Sequence, residues 1–190
     1  MIKDIFKDIL RHTHALGFIE QVKISGDESS TTIEAMDADK TVILQGKLHN
    51  PVADFVDQTV GLSRMSVLDG YLKFPGFVDE GSDVSVQTQS RNGEDIPVEI
   101  SFTSAEGHSG SYRFMLADVI NQQLKSVTMK EIPWDVTIVP SQKNLKDLGY
   151  FNGVLGGFEP VFSPSTKDGA LYFSIGEGAG DKSKLPINNN

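Results

Sequence analysis

Lys3, Lys7, Arg11 and His14 recur at intervals of four, four and three residues near the start of the chain. On a helix turning about 100° per residue, those intervals gather the four side chains into one stripe about 80° wide. A row of cations at that spacing can bind a line of phosphates, an interaction that tracks a backbone without reading bases. An ordinary solvated helix face has the same appearance, so the stripe is informative only together with other basic faces. Lys73 falls on the polar side of a second helical stretch, and Lys143 and Lys146, three apart, on that of a third.

Catalytic chemistry has little to work with. Of the four histidines, His12, His14, His49 and His108, only the first two are close, and two residues apart on a helix they diverge by about 160°. A helical metal pair would need the four-residue interval of H-E-x-x-H. No nucleophile elbow, phosphate-binding P-loop or dinucleotide fingerprint is present. Gly176 to Gly180 is glycine-rich but opens no helix, so it reads as a loop. Asp37, Asp39, Asp54 and Asp57 lack the spacing and closing glutamate of an EF-hand and read as solvated acidic loops. No enzyme activity, cofactor or metal is expected.

The bulk composition narrows the class further. The 190 residues carry 17 Lys and Arg against 26 Asp and Glu, a net charge of -9. A uniformly acidic surface repels nucleic acid, but a local basic patch governs its own field. Without cysteine there are no disulfides or thiolate metal sites, which fits a reducing, cytoplasmic setting. No apolar run is long enough to span a membrane, and the N-terminus has no secretory h-region.

The elements that must carry these side chains are legible from periodicity. Ile2, Phe6, Ile9, Leu10 and Thr13 form the apolar side of the first helix, which Gly17 stops. Strands follow over 18–25, 32–36 and 41–48, and Pro51 to Thr59 reads as a connection or edge segment. Ser63 to Phe74 is helical, with Ser63 as N-cap, Met65, Leu68, Tyr71 and Leu72 on one face, and Pro75-Gly76 as terminator. Val84 to Thr88, Val98 to Phe102 and Tyr112 to Leu116 alternate as strands of an antiparallel meander turning at Asn92-Gly93 and 106–110. Residues 117–133 lack a clear period and read as an interdomain connector. A second unit opens with a strand over 134–139 and a helix capped by Pro140-Ser141 and running to about Leu155. Strands over 158–163 and 170–175 complete it. Gly17-Phe18-Ile19-Glu20 is echoed by Gly157-Phe158-Glu159, a weak internal repeat.

Taken in order, these segments resemble the sliding-clamp family of the proliferating-cell-nuclear-antigen type, the ring-shaped processivity factors of DNA polymerases. Thr32-Ile33-Glu34-Ala35-Met36-Asp37 followed by Val42-Ile43-Leu44 resembles the family's strand and Ala-Met-Asp turn. Leu62-Ser63 through Met65-Ser66 to Leu72-Lys73-Phe74 is similar to its second helix, with about three extra residues. Ile138-Val139-Pro140-Ser141 resembles the opening of the second domain, and Asp168-Gly169-Ala170-Leu171-Tyr172-Phe173-Ser174 one of its strands. The resemblance covers about Phe6 to Leu185.

The resemblance implies an α+β DNA-clamp fold, with antiparallel sheets outside, helices lining one face, and two similar domains, 1–117 and 134–190, joined by the connector 118–133. It implies a homotrimeric ring around double-stranded DNA, independent of base sequence, that tethers DNA polymerase and is opened by a clamp loader. Lys3, Lys7, Arg11, His14, Lys73, Lys143 and Lys146 would face the DNA. A peptide pocket beside the connector would involve Met36, Thr41, Ile43, Leu124 and Val127, although Met36 and Ile43 read equally as sheet core. A strand near 111–116 would pair with one near 182–187 of a neighbouring protomer. One departure stands out: the first domain reads as two helix-plus-strand halves and the second as one, as expected of either a short second domain or a fragment. The short two-domain form points to a phage or other viral clamp. The competing readings are a β-rich viral structural or assembly protein, and a small-ligand enzyme whose site is not recognisable in sequence.

Overall fold

The computed structural model describes residues 2–91, 93–128, 131, 133–159, 161–176 and 180–187, arranged as two compact units, Met1–Thr128 and Met129–Asn190. The first unit opens with helix α1 (Ile2–His12), whose Phe6, Ile9 and Leu10 are buried as the apolar spacing requires. Thr13 is buried just beyond it, and its Oγ1 donates to the carbonyl of Ile9 at 2.7 Å, so its polarity is satisfied. A 3-10 turn (His14–Leu16) then ends on Gly17 at φ 83°, a left-handed conformation that glycine adopts without strain.

Strands β1 (Val22–Gly26), β2 (Thr31–Met36), β3 (Ile43–Lys47) and β4 (Thr59–Leu62) make an antiparallel sheet in the order β3-β2-β1-β4. Helix α2 (Met65–Lys73) and the short α3 (Pro75–Val78) lead into β5 (Asp83–Arg91), β6 (Glu94–Thr103) and β7 (Ser109–Arg113), the antiparallel meander expected from the alternation. Helix α4 (Ala117–Gln123) follows. Met65, Leu68 and Leu72 of α2 share one core with the apolar side of α1, and each such fully buried side chain contributes roughly 1.5–3 kcal/mol.

The second unit has helix α5 (Gln142–Leu155) and an antiparallel sheet of β8 (Phe162–Lys167), β9 (Ala170–Ile175) and β10 (Ser183–Ile187) in the order β10-β9-β8. Ser141 caps α5 as expected: its Oγ accepts the Asn144 amide at 3.1 Å, and Asn144 Oδ1 accepts the Ser141 amide at 3.3 Å. Asn144 Nδ2 also donates to the carbonyl of Pro186, tying the helix to β10.

Several local expectations change. β1 begins only at Val22, because the preceding residues have no ladder partner. The stretch up to Thr59 is not a plain connection. It holds a 3-10 turn (Ala53–Phe55) that buries Phe55, and it leads into β4, whose hydrogen bonds come from the distant β1. The N-cap of α2 is Arg64, in a left-handed conformation at φ 52°, and not Ser63. Ser63 is occupied elsewhere: its amide donates to Tyr112 Oη at 3.0 Å, and the Tyr112 hydroxyl donates to the Ser63 carbonyl. Pro75 ends α2 but also opens α3 at its first turn, where a missing N–H costs nothing. The third meander strand begins earlier than expected, at Ser109. Helix α4 occupies part of the stretch that shows no period in sequence. No strand forms over 134–139; the strands of the second sheet pair with one another, leaving Trp134, Val136 and Val139 exposed. Asn92 of the hairpin turn, Lys130 of the connector and 177–179 of the glycine-rich loop lie outside the described residues.

Burial raises the pKa of Tyr112 to about 12, so the phenol stays protonated and keeps both bonds to Ser63. Tyr112→Phe leaves those two backbone groups without their partner. The first unit is expected to lose about 1–3 kcal/mol in chemical denaturation. A loss below about 0.5 kcal/mol would mean that water replaces the hydroxyl freely.

Candidate nucleic-acid interface

Helix α1 buries one side and turns the basic stripe outward, and α2 packs beside it. The result is a groove walled by Lys7, Arg11 and His14 from α1 and by Lys73 from α2, with Leu10 and Leu72 at its apolar base. Four of the sequence-predicted residues therefore converge, two helices contributing to one concave surface. Lys7 and Arg11 are exposed and His14 is half-buried.

The groove contains one carboxylate, Asp69, which holds Lys73 Nζ at 2.6 Å one helical turn away. An exposed pair of this kind contributes only about 0.3–0.5 kcal/mol, so an arriving phosphate can draw Lys73 off it at little cost. Lys3 is placed differently: its Nζ donates to the carbonyl of Val78 at the end of α3, at 2.9 Å, and it does not line the groove. In the second unit, Lys143 pairs with Asp147 across one turn of α5, and Lys146 is exposed on the same helix.

Arg64 is a cation that the periodicity analysis passes over. It lines a neighbouring hollow with His14 and Met65, extending the positive surface past the start of α2. It precedes the helix, so it belongs to no helical stripe; its signal in sequence is only a basic residue beside a helix start.

Of the five residues expected around a peptide pocket, two share a hollow. Met36 and Leu124 line one hollow together with Glu20, Gln21, Asp37 and Lys40. Leu124 is itself buried, so its role there is as a wall. Ile43 is exposed on the edge strand β3, and Val127 is half-buried, its carbonyl accepting from Gln45 Nε2 at 2.6 Å. Thr41 does not line the hollow but bonds to Asp37, which does: its Oγ1 donates to Asp37 Oδ2 at 2.7 Å, while Asp37 Oδ1 accepts the amides of Val42 and Thr41 at 2.7 and 2.8 Å.

These bonds, the Val42 amide foremost, hold the Asp37 carboxyl below its ordinary value of 3.8. Asp27 is lowered likewise, first by the hydroxyl of Ser29. A depressed carboxylate pKa stabilises its loop fully above the ordinary value, and that contribution is lost as pH falls through the folded one. The 37–42 loop should therefore still keep its Thr41 and Val42 amides protected at pH 3.8, the ordinary carboxylate value, and lose them only in more acid solution. Amide shifts followed across an acid titration report this, and opening already near neutral pH would contradict it.

Among the described residues no group of three or more His, Cys, Asp or Glu could hold a metal, and no helix is long and apolar enough to cross a membrane. β7 and β10 each stand at the edge of their sheet.

No family model matches the chain, and no curated protein matches it in sequence. Among solved structures it is similar to the crystal structure of PCNA from Thermococcus kodakaraensis, with a TM-score of 0.61 over 90% of this chain at 12% identity. The chain spans 65% of the length of that PCNA. The mixture of helices and antiparallel sheets fits that structure, and the chain therefore has the sliding-clamp fold.

Proposed function

We propose that this protein is a sliding clamp that encircles duplex DNA and tethers a DNA polymerase and other partners for processive replication. The observation that carries the reading is the groove in which α1 and α2 together present Lys7, Arg11, His14 and Lys73, within a chain of the PCNA fold. Exposed cations on helices reach phosphates without inspecting base edges, and such contacts permit sliding. The acidic remainder keeps the rest of the surface off DNA.

Under this reading the protein performs no bond chemistry. Its action is topological, so individual contacts can be weak. Closure into a ring of three joins the edges of β7 and β10 of successive protomers, a head-to-tail contact that closes only at the right rotation. Lys3, Lys143 and Lys146 serve as additional DNA contacts. The hollow of Met36 and Leu124, with Thr41, Ile43 and Val127 around it, receives a partner's apolar side chains. A clamp loader opens the ring, and the setting is the cytoplasm of a phage-infected cell.

Retention on closed circular DNA, compared with linear DNA bearing free ends, tests the reading. With the loader present, or with DNA circularised in the presence of the protein, circles are expected to hold it through a salt wash that strips it from linear DNA. Equal retention on both would remove the topological mechanism. Light scattering across a concentration series is expected to show a trimer. A β-rich assembly protein would show neither the trimer nor the preference for circles.

A further inference from the structure

One face of the β3-β2-β1-β4 sheet carries a buried charge that DNA binding does not explain. Lys23 is 4% exposed, and its Nζ lies 2.6 Å from Glu34 Oε2. Lys23 stands opposite Gly61 of β4 on one side and Glu34 of β2 on the other, and Glu34 stands opposite Gln45 of β3. Gly61, Lys23, Glu34 and Gln45 therefore form one row across all four strands, with their side-chain positions on one face.

The chain after β7 follows that row from end to end. Met115 and Gly61 exchange both backbone hydrogen bonds, at 2.8 and 2.9 Å. Ile120 of α4 then sits over Gly61, where an added Cβ would come within 2.9 Å of it, so only glycine lets the helix this close. Farther along, Lys23 Nζ donates to Ser126 Oγ at 2.5 Å, and Ser126 Oγ donates to Glu34 Oε2 at 2.8 Å. At the far edge Gln45 Nε2 takes the carbonyl of Val127. Between Ile120 and Val127 the single buried side chain is Leu124; Asn121, Gln122, Gln123, Lys125 and Ser126 are exposed.

We infer that the Lys23–Glu34 ion pair is a latch that holds residues 124–127, just beyond α4, on the sheet as a strap and thereby positions the Leu124 wall of the Met36 hollow. The physical reason is a balance. Residues 121–123 are held by α4 with its buried Ile120, and Gln123 accepts from Gln21 Nε2 at 2.6 Å, but beyond the helix one buried leucine is a weak anchor for residues 124–127, whose backbone must be kept ordered. The buried amine and the half-buried carboxylate beside it each gain a partner, and Ser126 serves both at once. Lys23 and Glu34 are thus positioning residues for the strap. The consequence for partner docking rests on the function proposed above, but the latch itself does not, because it can be measured with no partner present.

The test is hydrogen exchange along the full chain for the wild type, Glu34→Gln, and the double variant Lys23→Met with Glu34→Leu. Glu34→Gln leaves the lysine buried without its counter-ion and can destabilise the sheet itself. The double variant replaces the pair by apolar side chains of similar size, so the sheet is retained while Ser126 loses both partners. Amides 124–127 are expected to exchange about tenfold or more faster in the double variant, with β1 and β2 protected as in the wild type. Because Lys23 is buried and Glu34 is 19% exposed, raising the salt is expected to change strap exchange in the wild type only slightly. Wild-type protection of the strap in the double variant would overturn the inference. So would equal acceleration throughout β1–β4, or a strap that exchanges without protection in the wild type.

Discussion

Replacing Lys7 and Arg11 together by alanine is expected to lower DNA affinity by roughly 100-fold at about 0.1 M salt, since each phosphate contact contributes about one counterion release. Both side chains are exposed on the outward side of α1 and line the same groove, so they contact one stretch of backbone. The salt dependence gives a sharper signature than the affinity. A plot of log K against log salt, between about 0.05 and about 0.2 M, should lose roughly two units of slope. Because the loss is electrostatic and independent of sequence, it should be the same on any duplex. Folding should be unaffected, within about 0.5 kcal/mol, because neither side chain packs in the core. An unchanged slope would show that DNA, if bound, lies elsewhere, and Arg64 with His14 would be the next surface to test.

Phe55→Ala is expected to destabilise the first unit by about 3–5 kcal/mol, a large part of the stability of a domain of this size. The ring is fully buried and meets Phe6 edge-on at 6.3 Å and Phe114 at 5.9 Å between centroids. Removing it leaves a cavity bounded by α1 and by the chain beyond β7, and neither can move in to fill the space without breaking its own packing. Phe18→Ala provides the comparison: Phe18 is 46% exposed, and the same change there should cost less than about 1 kcal/mol. Denaturant titration of the two variants separates the cases. Equal, small losses would mean that the 3-10 turn carrying Phe55 is not part of the cooperative core.

These two residues also mark where sequence reasoning succeeds and where it stops. Lys7 and Arg11 belong to a pattern contained within one helix, and their joint orientation follows from 100° per residue. Phe55 is an isolated aromatic in a polar stretch, between Asp54 and Asp57, with no period to show which way it points. Its burial is decided by Phe6 and Phe114, which pack against it and against each other as a three-ring cluster. β4 was hidden for a related reason: it is four residues long, and its partner is β1. The strand expected over 134–139 shows the converse, a stretch of β-formers that is not among the described strands of the sheet β10-β9-β8.

By itself the sequence determined what short-range periodicity and cap chemistry encode. Those are the amphipathic α1 with its basic stripe, the meander of β5, β6 and β7, and α5 with its Ser141–Asn144 box. The ordered series of such elements was enough to point to the clamp fold at an identity as low as 12%. Tertiary structure alone decided which cations share a groove, because Lys73 meets Lys7, Arg11 and His14 only once α2 has packed on α1. It also tied Lys3 to α3, recruited Thr41 to Asp37, set Arg64 in place of Ser63 at the start of α2, and laid the chain beyond β7 along the row from Gly61 to Gln45. The physical reason is one of range. A helical or pleated repeat is specified by neighbours within a turn, whereas a site made by packing depends on residues far apart in the chain whose approach is dictated by the whole core.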